Sequence, residues 1–486
     1  MKLKNTIRTT SVASLFLLSL VFGTGCKKFL DVPLPTDKLA ADGAYSTDNS
    51  AGAVITGIIS NASSTIPYGG SESVGYRTSL YVDDFQNINP LSPINTAYTT
   101  NNVYYTNALT SAYSALWPIL YKQLYYCNLA IEGITANQDK LVNKNQWLGE
   151  ALFLRAFTYF DLVNLYGDIP FTTTSDYLTN NQLSRSPKTQ VYTQMIADLK
   201  QAESLLGTVY LDGTGSTTVN RARPNQYVAA ALLARVYLYN GDWPNAEAEA
   251  TKVINNTSAY AMVAPAVAFL ANSQETLWAL VPMASNAPAT VGDYGLYNSG
   301  MANSYPTQAP MAVFSMTPIS QSLLNTFEPN DARVTNWLRI TTTVTPAQSY
   351  YFPNKYKSNV AGTEFNIVLR LAEQYLIRSE ARARQNNISG AATDLNVVRT
   401  RAGLGGTTAA TQADMVNAVI KERRVELFSE YGHRFYDLKR TGTIDAVMTA
   451  AEAVKGGTWN SQAQIWPIPL SDILANPHLT QAPGYN

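Results

Sequence analysis

The sequence predicts a mainly α-helical protein, in which pairs of helices stack into a superhelix of the tetratricopeptide kind. Three segments support this prediction. Residues 146–168 have helical periodicity over their whole length, and residues 223–254 and 365–401 each have the pattern of two helices joined by a tight turn. A helix pair of this size cannot bury its apolar face alone, so neighbouring pairs are expected to stack on each other.

The segment 146–168 is expected to be a helix that is buried on almost all sides. At 100° per residue its polar side chains fall on one narrow stripe, which comprises Glu150, Thr158, Asp161 and Asn164. Gly167 is a suitable C-cap, and Pro170 prevents the helix from continuing. Arg155 lies off the polar stripe, so its guanidinium must either have a buried partner or extend past the neighbouring side chains to solvent. We therefore interpret Arg155 as structural.

The two helix pairs have recognisable boundaries. In the first pair Pro224 opens one helix, Asn240–Asp242 forms a tight turn, and Pro244 starts the second helix. In the second pair, helices are expected at residues 365–384 and 388–401. Further helices are predicted at residues 106–134, 190–206, 413–430 and 436–440.

The start of the chain has the pattern of an export signal with a lipid attachment site. Three basic residues precede an apolar run at residues 12–22, and small residues follow it up to Gly25. The apolar run is too short to cross a bilayer core, which takes about 20 residues. We therefore expect residues 1–25 to be a removed signal peptide and Cys26 to carry a lipid. The alternative is an ordinary export signal with a nearby cysteine.

Composition limits the classes of partner. The chain has 35 basic and 35 acidic residues, and removal of residues 1–25 leaves a net charge of −3, which gives no electrostatic case for nucleic-acid binding. Only 14% of residues are charged, which is low, and the chain has 30 tyrosines and 7 tryptophans. A surface of this composition is polar but weakly charged, so it suits neutral partners. With Cys26 lipidated, Cys127 has no disulfide partner, and we expect it to be a buried, inert thiol.

Two stretches lack helical periodicity and are expected to be loop-rich, residues 61–105 and 258–360. Both are rich in Tyr, Ser, Thr and Asn, and long loops on a rigid scaffold are usually functional. Aromatic rings can cover the apolar face of a sugar, while amides and carboxylates bind its hydroxyl groups. The candidate ligand contacts are Tyr81, Asp84, Tyr98, Tyr104, Tyr294, Tyr297 and Trp337. For any single ring the alternative is packing of the loops onto the helices.

No pattern for catalysis, metal binding or cofactor binding is found. The two histidines, His433 and His478, are 45 residues apart, and neither belongs to a zinc-binding or nucleophile motif. The residues 421–428 are expected to form an ion-pair face that is either solvated or lies between helices, and His433 is expected to be a packing residue. Asp83 and Asp84 are adjacent, so they would point apart in extended chain. The missing catalytic motifs disfavour a hydrolase. A glycosidase needs only two carboxylates, however, so a hydrolytic function stays open.

Five blocks of the sequence, in this order and spacing, resemble the SusD/RagB family, lipoproteins of outer-membrane nutrient uptake systems first known for starch. The blocks are Cys26–Asp31, Leu152–Pro170, Leu369–Ala381, Glu422–Leu427 with Arg434–Leu438, and Trp466–Tyr485. The resemblance covers essentially the whole chain after the leader, and it implies one domain over residues 26–486. It further implies about four tetratricopeptide-like helix pairs that carry a loop-rich region.

The resemblance also implies a function. Members of this family act like a lid on a SusC-like TonB-dependent outer-membrane barrel, and they capture a ligand, usually an oligosaccharide, without chemistry of their own. The starch-binding member uses tryptophans in the first loop-rich stretch, whereas this chain has none between residues 61 and 105, which puts starch in doubt. We therefore expect a glycan-binding lipoprotein at the outer face of the outer membrane. The alternatives are peptide capture, a surface glycan hydrolase and a structural tetratricopeptide adaptor.

Overall fold

The computed structural model describes residues 41–63, 65–88, 96–113, 115–281, 292–298, 317–344 and 347–485. The elements discussed below, apart from helix α1, belong to one compact unit, Tyr45–Asn486. The predicted signal peptide and Cys26 lie outside the described residues, so they stay predictions.

The described residues are mainly helical, as predicted. The α-helices are α1 Ala41–Ala44, α2 Asp48–Ser63, α3 Thr65–Tyr68, α4 Val74–Tyr81, α5 Thr96–Tyr105, α6 Leu116–Ala136, α7 Lys144–Tyr166, α8 Tyr177–Asn180, α9 Lys188–Leu205, α10 Gln226–Tyr239, α11 Trp243–Ile254, α12 Gly292–Asn298, α13 Gln321–Leu324, α14 Ala332–Trp337, α15 Leu371–Arg384, α16 Ile388–Arg401, α17 Gln412–Leu427, α18 His433–Arg440, α19 Ile444–Lys455 and α20 Leu470–Ala475. The strands are β1 Ile169–Pro170, β2 Arg185–Ser186, β3 Thr276–Leu280, β4 Leu338–Val344, β5 Ala347–Pro353 and β6 Asn366–Arg370, and short 3₁₀ turns lie at Gly70–Glu72, Pro265–Val267 and Ser461–Gln464.

Helix α7 lies at the centre of the scaffold and is buried along nearly its whole length, as its periodicity predicts. It ends at Gly167, whose φ of 69° is one that a residue with a side chain rarely adopts. Arg155 has the structural role expected for it, because it donates hydrogen bonds to both carboxylate oxygens of Asp198 at 2.8 and 2.7 Å. Both side chains are buried, so the pair connects α7 to α9.

The helices pack on each other largely in chain order, from α6 through α7, α9, α10 and α11 to α15, α16 and α17. The pair α10–α11 has the predicted turn: Gly241 adopts a φ of 77°, and the Asp242 side chain accepts a hydrogen bond from the backbone of Asn245 to cap α11. Between α15, α16 and α17 an apolar core is formed by Leu376, Leu395, Val398, Met415 and Val419. This succession confirms the prediction of stacked helix pairs.

Two helix starts differ most from the prediction, while the other boundaries agree to within about three residues. Residues 366–370 form strand β6, which pairs antiparallel with β3, so α15 begins at Leu371 and not at residue 365. The pairing of Leu369 with Trp278 joins segments that are far apart in sequence, which a local pattern cannot indicate. The predicted helix 106–134 is also wrong at its start, because α5 ends at Tyr105 and α6 begins at Leu116.

The two stretches predicted to be loop-rich contain more regular structure than expected. The first includes helices α4 and α5, and the second includes β3, the short helices α12 to α14 and the hairpin β4–β5. In α4 every residue is buried, so this helix is part of the core although it contains Arg77, Thr78 and Ser79. Polar composition alone therefore does not distinguish a loop from a buried helix whose hydroxyl and amide groups have partners.

A network of buried ion pairs joins α17 to the strands and to the loops around them. Arg370, at the end of β6, contacts three carboxylates, those of Glu275, Glu426 and Glu430. Glu426 is also paired with Arg333 and Arg401. These side chains are almost completely buried, so the part of the 421–428 ion-pair face around Glu426 lies inside the protein, whereas Lys421 is half exposed and pairs with Glu328 at the surface.

Candidate functional site

The two Tyr-rich stretches meet in the folded chain. Phe85 and Ile319 form an isolated antiparallel bridge, and the backbone N–H of Gln86 donates to the carbonyl oxygen of Pro318 at 2.8 Å. A second contact joins them at α12, where the Asp293 carboxylate accepts a hydrogen bond from the backbone of Gly70 at 3.2 Å. The predicted ligand-facing stretches therefore lie side by side.

A cavity of about 650 Å³ opens where these stretches meet helix α19. We call it the α19 cavity. Its lining comes from the first stretch, the second stretch and the helices α17 to α19, and it comprises Asp83, Phe85, Gln86, Tyr105, Ser320, Gln321, Ser322, Arg424, Arg434, Val447, Ala450, Ala451, Val454 and Lys455. A volume of this size is typical of a small-molecule site.

One wall of the α19 cavity is an ion-pair cluster. Arg434 donates to both oxygens of the Asp83 carboxylate at 2.9 Å, and Nη2 of Arg424 lies 2.8 Å from the same group. Burial raises the pKa of the Asp83 carboxyl, but the charges of Arg424 and Arg434 outweigh it and bring this pKa down to about 2. Asp83 is therefore ionised at neutral pH and holds both arginines in place.

Asp84 is the neighbour of that cluster and is completely buried. Its Oδ1 lies 3.0 Å from Nε of Arg424, while Oδ2 has no hydrogen-bond partner among the described residues. Burial and the nearby charge of Asp83 raise the pKa of the Asp84 carboxyl, against the opposing charge of Arg424. Asp84 therefore lies behind the ion-pair cluster, where it binds Arg424, and it does not line the cavity.

The opposite wall is the apolar face of α19. Val447, Ala450, Ala451 and Val454 line it, and Val454 is 87% exposed. Lys455 closes one end, where its ammonium group lies 4.9 Å from the centre of the Tyr105 ring and donates to the carbonyl oxygen of Tyr81 at 3.1 Å. The cavity therefore combines an apolar side, an aromatic ring and several polar groups.

The side chains of the predicted contacts Tyr81 and Tyr104 are buried beneath the cavity. The Tyr81 hydroxyl donates to the carbonyl oxygen of Ala463, and that of Tyr104 donates to the carbonyl oxygen of Tyr113. Both rings make edge contacts with Trp466, with centroids 5.4 and 5.5 Å apart. In this conformation they pack the loops onto the helices, and their contact with a ligand stays a prediction.

The other predicted rings lie in different places, with Tyr294 and Tyr297 on α12 and Trp337 on α14. Tyr297 is buried against Phe85, and Trp337 is buried elsewhere, with its indole N–H donating to the carbonyl oxygen of Pro265 at 2.8 Å. Tyr294, on α12, is partly exposed. The side chain of Tyr98 lies outside the described residues. The structure therefore brings Tyr81, Tyr104 and Asp84 close to one cavity, and it does not place Trp337 there.

The helices α17 to α19 contribute residues that the sequence did not indicate as part of a site. Arg424 and Arg434 belong to blocks that resemble the family's helical scaffold, and they reach Asp83 across more than 300 residues. The one available signal was the pair Asp83–Asp84 in an otherwise weakly charged stretch, since buried carboxylates need cationic partners. Nearby, His433 is buried as expected, but its Nδ1 has no partner among the described residues.

No group of three or more His, Cys, Asp or Glu in the described part of the chain could hold a metal ion. Cys127 is buried, and burial raises the pKa of its thiol to about 12. It is therefore the inert thiol that the sequence predicts.

Two family models match the chain. A model of the SusD family matches residues 289–485, and a SusD-like model, described as starch-binding and associating with the outer membrane, matches residues 28–238. The chain belongs to the SusD/RagB family. The segments that line the α19 cavity are divided between the two matches. Residues 83–105 lie in the SusD-like match, and residues 320–455 lie in the SusD match.

Relatives of this SusD/RagB protein show how far the similarity extends. SusD-like protein P2 of Formosa agariphila is 28% identical over 419 residues, which are 76% of this chain and 80% of the relative. A SusD superfamily structure from Bacteroides thetaiotaomicron is 24% identical, with a TM-score of 0.72 over 90% of this chain and 100% of the other. A laminarin-binding SusD-like protein has the same TM-score at 22% identity, over 91% of this chain and 100% of its own. At these identities the solved structures show a shared fold.

Membership of the SusD/RagB family associates the chain with the outer membrane, by the description of one matching model. Within the described ranges, no helix of this family member combines the length and the apolar character needed to span a bilayer.

Proposed function

We propose that this protein is a glycan-binding lipoprotein, held on the outer membrane by a lipid on Cys26, that captures oligosaccharide in the α19 cavity and delivers it to a SusC-like TonB-dependent barrel. The observation that carries the proposal is the composition of that cavity, which both Tyr-rich stretches line together with α19. A pure binding function is proposed, because the described lining contains no histidine or cysteine and its one carboxylate, Asp83, is paired with two arginines.

The lining chemistry suits a neutral sugar. Gln86 and Gln321 supply amide groups, Ser322 supplies a hydroxyl group, and Tyr105 supplies an aromatic surface at the edge of an apolar wall. Such groups exchange hydrogen bonds with water for hydrogen bonds with sugar hydroxyls at little net gain, so most affinity must come from the ring and the apolar face. We therefore expect modest affinity and selectivity by shape.

Filling the cavity should weaken glycan binding. Ala450 is exposed and faces into the cavity from α19, so the variant Ala450→Trp places an indole where the sugar is proposed to lie. The expected loss of affinity is about tenfold or more, equivalent to at least about 1.4 kcal/mol. Calorimetry against a panel of neutral polysaccharides measures it, and laminarin belongs in the panel because one structural relative binds it.

A matched control is available on the same helix. Ala453 is also exposed but does not line the cavity, so Ala453→Trp should bind like the native chain. Binding of peptides without any glycan would replace the proposal with peptide capture, and equal binding by Ala450→Trp would place the site elsewhere. Release of reducing sugar by the purified protein would contradict a pure binding function and support a hydrolase.

The lipid anchor is tested separately from the site. Replacing Cys26 with serine removes the only thiol next to the predicted cleavage point, so the exported protein should move from the membrane fraction to the soluble fraction. Fractionation with an antibody against the chain measures this, and the native protein should be accessible to protease on intact cells. A Cys26→Ser protein that stays with the membrane would contradict lipid anchoring.

The remaining parts of the proposal rest on family membership and on the sequence. Delivery to a barrel predicts that the two chains co-purify from detergent extracts. A single domain over residues 26–486 is proposed from the resemblance. Direct ligand contact by the seven predicted residues stays a prediction. Tyr294 is partly exposed, whereas Tyr81, Asp84, Tyr104, Tyr297 and Trp337 are buried and would have to move to contact a ligand.

A further inference from the structure

A second cavity lies away from the α19 cavity, at the ends of α7, α10 and α18 and the start of α9. Its volume is about 520 Å³, and we call it the basic cavity because its charged lining residues are Lys188, Lys439 and Arg440. No acidic side chain lines it. Acidic groups lie behind the lining: Asp168 accepts a hydrogen bond from the backbone of Lys188 at 2.9 Å, and Asp437 accepts one from the Tyr239 hydroxyl at 3.0 Å.

The charge of Arg440 is already neutralised. Its guanidinium donates to Asp437 at 2.7 Å and to both oxygens of Glu380 at 2.7 Å. The two lysines differ from it. Within the described residues, neither Lys188 nor Lys439 has a carboxylate oxygen within 4.0 Å of its ammonium nitrogen, so the cavity carries two positive charges without a counter-charge.

Lys439 is the less solvated of the two. Its ammonium group donates to the carbonyl oxygen of Asn164 and lies 4.8 Å from the Phe435 ring centre, which leaves two of its three N–H donors without a described partner. Burial, with the positive charge of Lys188, lowers the pKa of Lys439 to about 7. The other titratable groups that line the cavity are Arg440 and the hydroxyls of Tyr192 and Tyr239. A partly buried ammonium group without a counter-ion is costly, and an anion beside it would remove that cost.

We propose that the basic cavity binds an oxyanion, a sulfate or carboxylate group, between the ammonium groups of Lys188 and Lys439. The cavity also offers the Thr189 hydroxyl and the Gln462 amide as neutral donors. The anion can be free in solution or carried by an acidic sugar, because both present the same group to the lysines. The site is independent of the neutral-glycan site proposed above.

Titration calorimetry at about pH 6, where Lys439 is charged, tests this with sodium sulfate and sodium galacturonate, and with galactose as the neutral control. We expect one site for at least one of the two anions and none for galactose. Binding of sulfate indicates a free-anion site, and binding of galacturonate alone indicates an acidic sugar. If neither anion binds more tightly than chloride at equal ionic strength, the proposal is wrong.

Three variants locate the site. Lys439→Met should weaken anion binding about tenfold, since it removes a charge-assisted hydrogen bond. Lys188→Met should weaken it by less, because Lys188 is exposed, while Lys200→Met, on the same helix but outside the cavity, should bind like the native protein. Unchanged affinity in both Lys188→Met and Lys439→Met, or equal losses in Lys188→Met and Lys200→Met, would overturn the proposal. Ala450→Trp should retain the anion site, so failure of the glycan proposal would be visible separately.

Discussion

The variant Arg370→Met is expected to lower the free energy of unfolding by about 3–5 kcal/mol, because it leaves buried carboxylates without a counter-charge. Arg370 is 1% exposed, and its Nε lies 2.9 Å from Glu430 while its Nη1 lies 3.0 Å from Glu275. It also donates to the backbone carbonyl oxygen of Glu426 at 2.7 Å, so its removal affects the end of α17 as well as three side chains. Urea denaturation followed by circular dichroism measures the change.

The expected loss has a matched control and a pH signature. Lys252 pairs with Glu203 and Glu249, but its side chain is 46% exposed, so Lys252→Met should cost less than about 1 kcal/mol.

Burial raises the pKa of Glu426, yet its three arginine neighbours hold that pKa well below its ordinary value of 4.5. A carboxyl whose folded pKa is depressed stabilises the fold above its unfolded pKa and loses this contribution on acidification. The difference between native and Arg370→Met proteins should therefore shrink below about pH 4.5. Equal losses for Arg370→Met and Lys252→Met would contradict the argument.

The scaffold was predictable because its signals are local. Helix α7 has its apolar period, its C-cap at Gly167 and its stop at Pro170 within one short segment, and the turn at Asn240–Asp242 is equally self-contained. The errors occur where a distant segment decides the structure. Residues 366–370 form a strand because β3 lies beside them, and no pattern within those residues shows that neighbour.

The candidate site was less predictable for two physical reasons. First, a tyrosine in a polar stretch packs as well against a helix as against a sugar, and the burial of Tyr81 and Tyr104 is decided by Trp466, near the other end of the chain. Second, the charged wall of the α19 cavity forms only when Arg424 and Arg434 meet Asp83 in the fold. The sequence indicated which stretches matter, and the tertiary contacts determine which side chains remain available.

Asp161 provides the second large effect, because the centre of α7 holds a buried carboxyl group that forms no ion pair with any of the described residues. It is 2% exposed, and its Oδ1 accepts a hydrogen bond from the Tyr436 hydroxyl at 3.0 Å. Its Oδ2 and the hydroxyl of Tyr68 have no hydrogen-bond partner among the described residues. Burial raises the pKa of this carboxyl from 3.8 to about 7, although the hydroxyls of Tyr436 and Tyr68 and the charge of Arg235 oppose the shift.

A carboxyl group whose pKa is raised on folding makes stability depend on pH in a defined direction. Below about pH 4 the group is neutral in both the folded and the unfolded chain, so it has no ionisation cost. Between about pH 4 and pH 7 the unfolded chain ionises while the folded chain stays neutral, and the free energy of unfolding falls with rising pH. Above about pH 7 both states are ionised and the cost is constant, with a total of about 4 kcal/mol for a shift of this size.

Asp161→Asn removes the ionisation and keeps the shape of the side chain. The free energy of unfolding of the variant minus that of the native chain should therefore be larger at about pH 8 than at about pH 4, by a few kcal/mol. Urea denaturation at three pH values across this window measures the difference. Asp176→Asn is the control, because Asp176 is exposed and caps the short helix α8, a position that Asn fills equally well. If the difference between Asp161→Asn and the native chain does not change with pH, the carboxyl of Asp161 is not neutral in the fold. Asp161 would then be a buried, ionised carboxylate. The side chains around Tyr68 and Tyr436 would have to rearrange to stabilise its charge.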